Sequence, residues 1–285
     1  MERSCVKSRK IFQIVTQSEM LYLLQALFID NWRVLRIFKS ITIRASIAFI
    51  IAFMFMLIFG KPFIKWLKKK KYGDTAREEG PQSHFNKSGT PTMGGLLIIG
   101  AIIFSTLIAG NFTNKFIIFL FIITILFTTI GFYDDYLKLT RHKNGLSGKK
   151  KILGQLVITA LTFAFIYKYG IINKTLDFSI VNPLIKGSFI YITPALFFVF
   201  MLFVIIGSSN AVNLTDGLDG LVSGPIIVVS VTLLIITYLT GHYEYAKYLN
   251  LYHVRESAEI TVYLAAVIGA LIGFLWYNFY PAQVF

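Results

Sequence analysis

Two adjacent acids with a nearby lysine are the first residues in this sequence that could do chemistry. Asp134 and Asp135 directly follow an apolar run, and Lys138 comes three and four residues later. Adjacent carboxylates at a membrane boundary are costly unless water, a cation or a basic partner compensates them. The pair therefore indicates a site for charged ligands or, on the simpler interpretation, a solvated helix end paired with Lys138 at helical spacing.

A second acidic segment gives a stronger signal. Residues 210–221 read Asn-Ala-Val-Asn-Leu-Thr-Asp-Gly-Leu-Asp-Gly-Leu, so Asp216 and Asp219 are three apart and each precedes a glycine. Glycine lets a ligand approach the backbone closely and leaves the backbone amides accessible. A plain connection between two membrane crossings needs neither two acids nor two asparagines. We interpret this segment as a ligand-binding loop.

A third segment favours an anion. Residues 89–95 read Gly-Thr-Pro-Thr-Met-Gly-Gly, with Lys87 just before them. Pro91 suits the start of a helix and Thr90 can cap it, and the positive end of the helix dipole favours phosphate. Helix capping alone explains the same residues. The four histidines lack metal-ligand spacing, so they predict no metal site.

The elements that must position these residues are membrane helices. The 285 residues are 55% hydrophobic and 15% charged, with a mean hydropathy of +0.66. Allowing about 17–25 apolar residues for each crossing of a ~30 Å hydrocarbon layer, we expect an all-α polytopic protein with about seven transmembrane helices. They are predicted at 41–60, 94–110, 116–133, 152–169, 190–208, 220–240 and 259–279. Residues 1–40 are interpreted as an N-terminal extension with an interfacial helix, and 41–285 as the transmembrane domain.

The basic residues predict the orientation. Alternating crossings place the connections 61–93, 134–151 and 209–219 on one side, and the first two are rich in Lys and Arg while the opposite connections are poor. By the positive-inside rule the rich side is cytoplasmic, although the basic N-terminal segment conflicts with this. The net charge of +14 is interpreted as topology and contact with anionic lipid. No basic stripe indicates a nucleic-acid partner.

Four motifs in this order resemble the phospho-N-acetylmuramoyl-pentapeptide-transferase family. They are the segment 89–95, Asp134-Asp-Tyr-Leu-Lys138, the segment 210–221, and Phe274-Leu-Trp-Tyr-Asn278 with Pro281-Ala-Gln-Val-Phe285. The resemblance implies an enzyme of the bacterial inner membrane with its active site on cytoplasmic loops. That enzyme would transfer phospho-MurNAc-pentapeptide from UDP-MurNAc-pentapeptide to undecaprenyl phosphate, giving lipid I and UMP in peptidoglycan synthesis, with Mg²⁺ as cofactor.

The resemblance also implies roles for single residues. Asp134, Asp135 and Asp216 would be catalytic, the adjacent pair by deprotonating or positioning the lipid phosphate, and Asp134 is a candidate Mg²⁺ ligand. The implied substrate-binding residues are Lys87, Thr92, Lys138, Lys143, Lys151, Asn213, Gly217, Leu218, Asp219, Asn278 and Phe285.

The chain departs from the family after Phe285. Family members have ten crossings and continue into a Met-Gly-Asp-x-Gly-Ser motif, whose Asp is the main Mg²⁺ ligand. We therefore expect that a C-terminal segment is missing and that the 285-residue chain alone is inactive or nearly so. Whether it forms a homodimer stays open.

Three other functions stay open at this stage. The chain could be another polyprenyl-phosphate N-acetylhexosamine-1-phosphate transferase, although those enzymes usually lack the motif at 89–95. It could be a transporter, although transporter acids usually lie near the membrane midplane, not at crossing ends. It could also be a non-catalytic fragment.

Overall fold

The computed structural model describes residues 37–70, 91–141, 145–171, 178–181, 189–215 and 219–284 of the chain. Helices dominate these ranges. The α-helices are α1 (Ile41–Lys69), α2 (Gly94–Ala109), α3 (Lys115–Arg141), α4 (Gly148–Phe165), α5 (Pro194–Thr215), α6 (Ser223–Gly241), α7 (Tyr243–Leu249) and α8 (Ile260–Asn278). A π-helical turn, Ile166–Ile171, continues α4, and a 3₁₀ helix, Arg255–Glu259, directly precedes α8.

Six helices in the described ranges are long and apolar enough to cross a membrane. They are α1, α3, α4 with its π-helical turn, α5, α6 and α8 with its 3₁₀ turn. The second predicted crossing is α2, which is apolar but has only 16 residues and is about 24 Å long. The polytopic helical fold is thus confirmed, with six long helices and one shorter one. The predicted interfacial helix lies outside the described residues.

Several helices extend beyond the apolar runs that predicted them. α1 continues through Pro62 to Lys69, α3 continues to Arg141, and α5 continues to Thr215. A helix satisfies its own backbone hydrogen bonds in water as well as in lipid, so apolar length marks the hydrocarbon layer and not the helix end. Three residues of the predicted site, Asp134, Asp135 and Asn213, therefore lie on helices and not on loops.

A small β-hairpin stands between α4 and α5. Strand β1 (Ser179–Val181) pairs antiparallel with β2 (Phe189–Tyr191), with Ile180 opposite Ile190. Residues 189–191 therefore belong to a strand, and the crossing predicted from residue 190 begins only at Pro194.

The core forms where α8 packs against α1, α2 and α6. Two-thirds of the α8 span is buried (67%). α1 and α8 run parallel, since Arg44 pairs with Glu259 near one end and Tyr277 Oη donates to the Leu57 carbonyl, at 2.9 Å, towards the other. Small residues let these two backbones approach closely. Gly60 of α1 lies against Tyr277, and Gly269 and Gly273 of α8 lie against Phe49 and Met56.

The α1–α8 contact gives a prediction for Gly269. A Cβ at this position would overlap the backbone oxygen of Phe49, which cannot turn aside as a side chain would. We expect Gly269→Ala to lower the free energy of unfolding by about 1–3 kcal/mol, measured as a lower Tm in detergent. Gly207→Ala is the control, since a Cβ there has no heavy atom within 4 Å. Equal Tm values for the two variants would contradict the described packing.

The segments that hold candidate site residues share one end of the bundle, which we call the site end. There α1, α3, α5 and α8 finish and α2, α4 and α6 begin. Near this end Gln155 Nε2 donates to Ser209 Oγ at 3.0 Å, and Asn210 Nδ2 donates to Gln155 Oε1 at 2.9 Å, which joins α4 to α5. At the opposite end Asn114 Nδ2 donates to the Glu256 carbonyl at 2.9 Å. The described polar segments thus lie at one end of the bundle, and their convergence on one pocket stays a prediction.

Candidate functional site

A single lysine bridges the two adjacent aspartates. Lys138 Nζ lies 2.9 Å from Asp134 Oδ2 and 3.0 Å from Asp135 Oδ1. The contact forms because all three residues lie on α3 and side chains three and four apart on a helix are neighbours. One ammonium thus bridges two carboxylates, and Lys151 adds a further positive charge that acts on Asp134.

The two aspartates have different surroundings. Asp134 is only 7% exposed, and its Oδ1 accepts a hydrogen bond from the Leu146 amide at 2.7 Å while Oδ2 binds Lys138. The Asp135 side chain is 38% exposed and lines an open cavity. Asp134 is therefore anchored within the protein, whereas Asp135 is available to a ligand.

Gly145 makes the anchoring of Asp134 possible. Its φ of +75° lies in the region that favours glycine. A Cβ there would stand 2.5 Å from Asp134 Oδ1 and 3.0 Å from Lys138 Cε. The sequence analysis missed Gly145 and Leu146, although the Asn-Gly pair at 144–145 is a turn signal that pointed to this position.

A cavity of about 490 Å³ extends from Asp135 between α2, α3 and α8. Met93 and Gly95 line it where α2 begins, and Tyr263 lines it from α8. α2 begins at Gly94, where the predicted crossing 94–110 begins, and not at Pro91, so the interpretation of Pro91 as the start of the helix was wrong. Met93 is the N-cap, with φ +78° and no capping side chain. Thr92 is partly buried just before the helix, and Thr90 lies outside the described residues.

A second set of contacts joins the segment after α5 to the end of α8. Asp219 Oδ2 accepts a hydrogen bond from the Ala282 amide at 3.2 Å. Asn278 is 3% exposed, and its Oδ1 accepts from the Gly220 amide at 2.9 Å while its Nδ2 donates to the Val284 carbonyl at 2.8 Å. Asn278 thus holds three chain segments together. Both ends of its amide group are used by the protein.

Substitution by alanine should therefore change stability at Asn278 but not at Asn213. Removing the Asn278 amide leaves buried backbone groups without partners, so we expect Asn278→Ala to cost about 1–3 kcal/mol of unfolding free energy. Asn213 is exposed on the last turn of α5, and Asn213→Ala should leave Tm unchanged. Equal Tm values, measured in the same detergent, would show that the Asn278 contacts do not stabilise the fold.

Comparison with known proteins shows the family of the chain. The family model described as glycosyl transferase family 4 matches residues 116–285, and that described as phospho-N-acetylmuramoyl-pentapeptide-transferase signature 1 matches residues 87–99. A phospho-N-acetylmuramoyl-pentapeptide-transferase of Fusobacterium nucleatum subsp. nucleatum is 47% identical over 252 residues, which are 88% of this chain and 70% of that relative. The chain belongs to the phospho-N-acetylmuramoyl-pentapeptide-transferase family.

Other relatives of the same name agree. The protein of Leptospira biflexa serovar Patoc is 42% identical over 271 residues, covering 90% of this chain and 72% of the relative. That of Thermodesulfovibrio yellowstonii is 41% identical over 253 residues, covering 88% of this chain and 69% of the relative. The chain thus spans about seven-tenths of the length of these relatives. The predicted resemblance is confirmed, and the matches do not favour the three alternative functions.

Several predicted residues of this transferase-family chain are not tested by its structure. Lys151 is partly buried in the first turn of α4, and its charge acts on the Asp134 carboxylate. Six predicted site residues lie outside the described residues, namely Lys87, Lys143, Asp216, Gly217, Leu218 and Phe285. Substrate binding or catalysis by each predicted site residue stays a prediction.

The family implies Mg²⁺, and the site fits this ion through one carboxylate. The described residues contain no group of three or more His, Cys, Asp or Glu that could hold a metal. Mg²⁺, however, is usually bound by one or two carboxylates together with substrate phosphates. Both oxygens of Asp134, the predicted ligand, are already engaged by Leu146 and Lys138. Asp135 is therefore better placed than Asp134 to bind Mg²⁺.

Proposed function

We propose that this chain has the activity for which its relatives are named. It would transfer phospho-MurNAc-pentapeptide from UDP-MurNAc-pentapeptide to undecaprenyl phosphate, which forms lipid I and UMP in peptidoglycan synthesis. The observation that carries this proposal is the 41–47% identity to transferases of that name over most of the chain. The signature at residues 87–99 supports it, because the described part of that segment, residues 91–99, contains the start of α2 and lines the cavity at Asp135.

The geometry of the site suits transfer between two polyanions. Such a reaction needs its phosphate charges neutralised and the attacking oxygen held in line, with little covalent chemistry from the protein. The Lys138 side chain is 41% exposed, so its ammonium can pair with a phosphate as a point charge while staying near Asp135. The carboxylate of Asp135 can orient the acceptor hydroxyl of the lipid phosphate or take up its proton.

Mg²⁺ would be held by Asp135 together with diphosphate oxygens. When bound there, the ion would neutralise charge on the nucleotide diphosphate. Asp134 has a different part in this proposal. It fixes Lys138 and the turn at Leu146, so that Asp135 keeps its position when a ligand binds.

The proposed reaction predicts which substrates release UMP. Two forms should be assayed in detergent or nanodiscs, namely the 285-residue chain and the chain extended with the C-terminal segment of the Fusobacterium relative. We expect UMP from UDP-MurNAc-pentapeptide with undecaprenyl phosphate and Mg²⁺, but none from UDP-GlcNAc and none in EDTA. Release of UMP from UDP-GlcNAc, or from neither sugar nucleotide in either form, would refute the proposal.

We also propose that the site end faces the cytoplasm across a bacterial inner membrane. The Lys- and Arg-rich connections support this orientation. In a chain whose only cysteine, Cys5, is replaced by serine, new cysteines at the exposed positions Thr140 and Thr215 should resist a membrane-impermeant maleimide in intact cells. A cysteine at Tyr248, which is 87% exposed near the opposite end, should react. Labelling of Thr140→Cys but not Thr215→Cys would place the two halves of the site in different compartments.

A further inference from the structure

A buried glutamine joins two helices near the site end. Gln155 of α4 is only 1% exposed, and both ends of its side-chain amide are paired with α5. Nε2 donates to Ser209 Oγ at 3.0 Å, and Oε1 accepts from Asn210 Nδ2 at 2.9 Å. An unpaired amide in an apolar helix would be costly, so these two hydrogen bonds explain how the helix accommodates a polar side chain.

The same turn of α4 also packs against α3. A Cβ added at Gly154 would stand 2.9 Å from Ile130 Cδ1 of α3, so the two helices are in close contact there. Ile130 lies one helical turn before Asp134. On α4, Gln155 lies one turn after Lys151, whose charge acts on the Asp134 carboxylate. This turn of α4 thus links the aspartate end of α3 to α5.

The α5 partners of Gln155 lie close to a predicted substrate-binding residue. Asn210 and Asn213 are three residues apart near the end of α5, so their side chains are neighbours on one face of the helix. Asn213 is exposed, whereas Asn210 is half-buried and also donates to the Ile206 carbonyl at 2.8 Å. The rotation of α5 about its own axis therefore decides where the Asn213 amide points.

Hydrogen bonds fix that rotation better than apolar contacts do. α4 and α5 also meet through Phe163 and Phe198, whose ring centroids lie 5.3 Å apart. Apolar attraction has no direction, so it tolerates a small turn or slide of one helix against the other. A hydrogen bond weakens steeply as its angle changes. In coiled coils, a single buried polar residue can likewise set the register of paired helices.

We propose that Gln155 is a positioning residue, which holds the last turns of α5 in register with α4 and thereby directs Asn213 towards the sugar nucleotide. The inference rests on the proposed function, which supplies that substrate. Gln155 is buried and acts through Ser209 and Asn210. Loss of its amide should therefore misplace a binding group on α5 and leave the aspartates on α3 in place.

Gln155→Met is the direct test, because methionine keeps the length of the side chain but removes both hydrogen bonds. We expect the KM for UDP-MurNAc-pentapeptide to rise about 10–100-fold, as affinity falls when an orienting residue is removed at a metal site. Partial unfolding would instead lower kcat, by reducing the amount of active protein, and leave KM unchanged. Thr159→Val is the matched control and should keep the parental KM. Thr159 is also buried on α4, and its hydroxyl donates to a carbonyl within that helix, that of Gln155.

A substitution on α5 reaches the same contact from the other side. Ser209→Ala removes one of the two hydrogen bonds of Gln155, so it should raise KM less than Gln155→Met does. In the double variant it should add nothing, because residues that act as one unit are not additive. Ser208→Ala is its control, since the Ser208 hydroxyl donates to the Val204 carbonyl of its own helix. Additive effects of Ser209→Ala and Gln155→Met on KM would overturn the proposal.

A distance measurement reports the register of α5 without any reaction. Spin labels are attached to Thr140→Cys on α3 and Thr215→Cys on α5, both at exposed positions, in a chain with Cys5 replaced by serine. Electron paramagnetic resonance then gives the distribution of distances between the labels. Gln155→Met should shift or broaden the parental distribution, and Thr159→Val should not. An unchanged distribution in Gln155→Met would overturn the proposal.

These results separate the positioning role from the reaction. If Gln155→Met changes the distance but neither form of the chain releases UMP, the role of Gln155 in the register of α5 stands and the proposed function is refuted. If UMP is released and Gln155→Met keeps the parental KM, the proposed function stands and the positioning role is refuted, whatever the distance shows.

Discussion

Asp135→Asn should reduce UMP release by about 10²–10³-fold, as does removal of a preorganised electrostatic group from other active sites. The amide keeps the shape of the side chain but removes the charge that faces the cavity, so it neither attracts Mg²⁺ nor accepts a proton. Stability should hardly change, because a substitution at a side chain that is 38% exposed usually stays within about 0.5 kcal/mol. The measurements are kcat for UMP release and Tm, in whichever of the two proposed forms is active.

Asp134→Asn is the matched comparison, one residue away on the same helix. Its carboxylate is buried and binds both Leu146 and Lys138. Loss of a buried, charge-assisted hydrogen bond costs about 1–3 kcal/mol, so this variant should lose stability as well as activity. The pair of variants tests the division of roles. If Asp134→Asn kept the parental Tm and Asp135→Asn lost it, Asp135 would be the anchor and our assignment would be reversed.

The apolar runs predicted which segments are helices but not where those helices end. The predicted crossings at 116–133 and 190–208 correspond to α3 and α5, yet both helices continue for about two turns past their apolar runs. The motifs predicted that the site residues meet at one end of the bundle. Backbone hydrogen bonding, which composition does not report, decides that the aspartate pair lies on a helix.

Two polar contacts between helices involve residues whose position in the sequence already indicated a partner. Arg44 and Glu259 are opposite charges at the same end of two predicted crossings, and they form the ion pair between α1 and α8. Gln155 is an amide near the start of an apolar run and bonds Ser209 and Asn210 across to α5. Polar residues in apolar runs usually bind a polar partner, so contacts between the helices that contain these residues could have been predicted.

Other features depend on the path of the chain in space. The contact between Gly145 and Asp134 exists only because residues 145 and 146, just before α4, lie against the last turns of α3. The Asn278 contacts require that the segment after α5 reaches the end of α8. No local pattern contains that information, and so sequence analysis missed the contacts by which the Asn278 amide holds protein segments together. Substrate binding at Asn278 stays a prediction.

Gly145→Ala is expected to reduce UMP release by about 10²-fold, the effect of misplacing a catalytic group by about 1 Å. Two physical causes act together at this position. The φ of +75° is unfavourable for alanine, and the new Cβ would stand 2.5 Å from Asp134 Oδ1. Relief of that overlap has to displace the Asp134 carboxylate or the backbone at residue 145, and we expect either shift to disturb the contacts of Asp134 with Leu146 and Lys138. The readouts are kcat and Tm.

Gly145→Asn separates the two causes. Asparagine tolerates positive φ better than alanine, but it brings the same Cβ, so it should be nearly as inactive as Gly145→Ala. Gly220→Asn is the control, because Gly220 also has a positive φ, +71°, while a Cβ there is 3.3 Å from a flexible atom, Leu275 Cδ2. It should retain the parental Tm within a degree or two. Recovery of kcat in Gly145→Asn would mean that backbone strain, and not the contact with Asp134, makes glycine necessary at the turn.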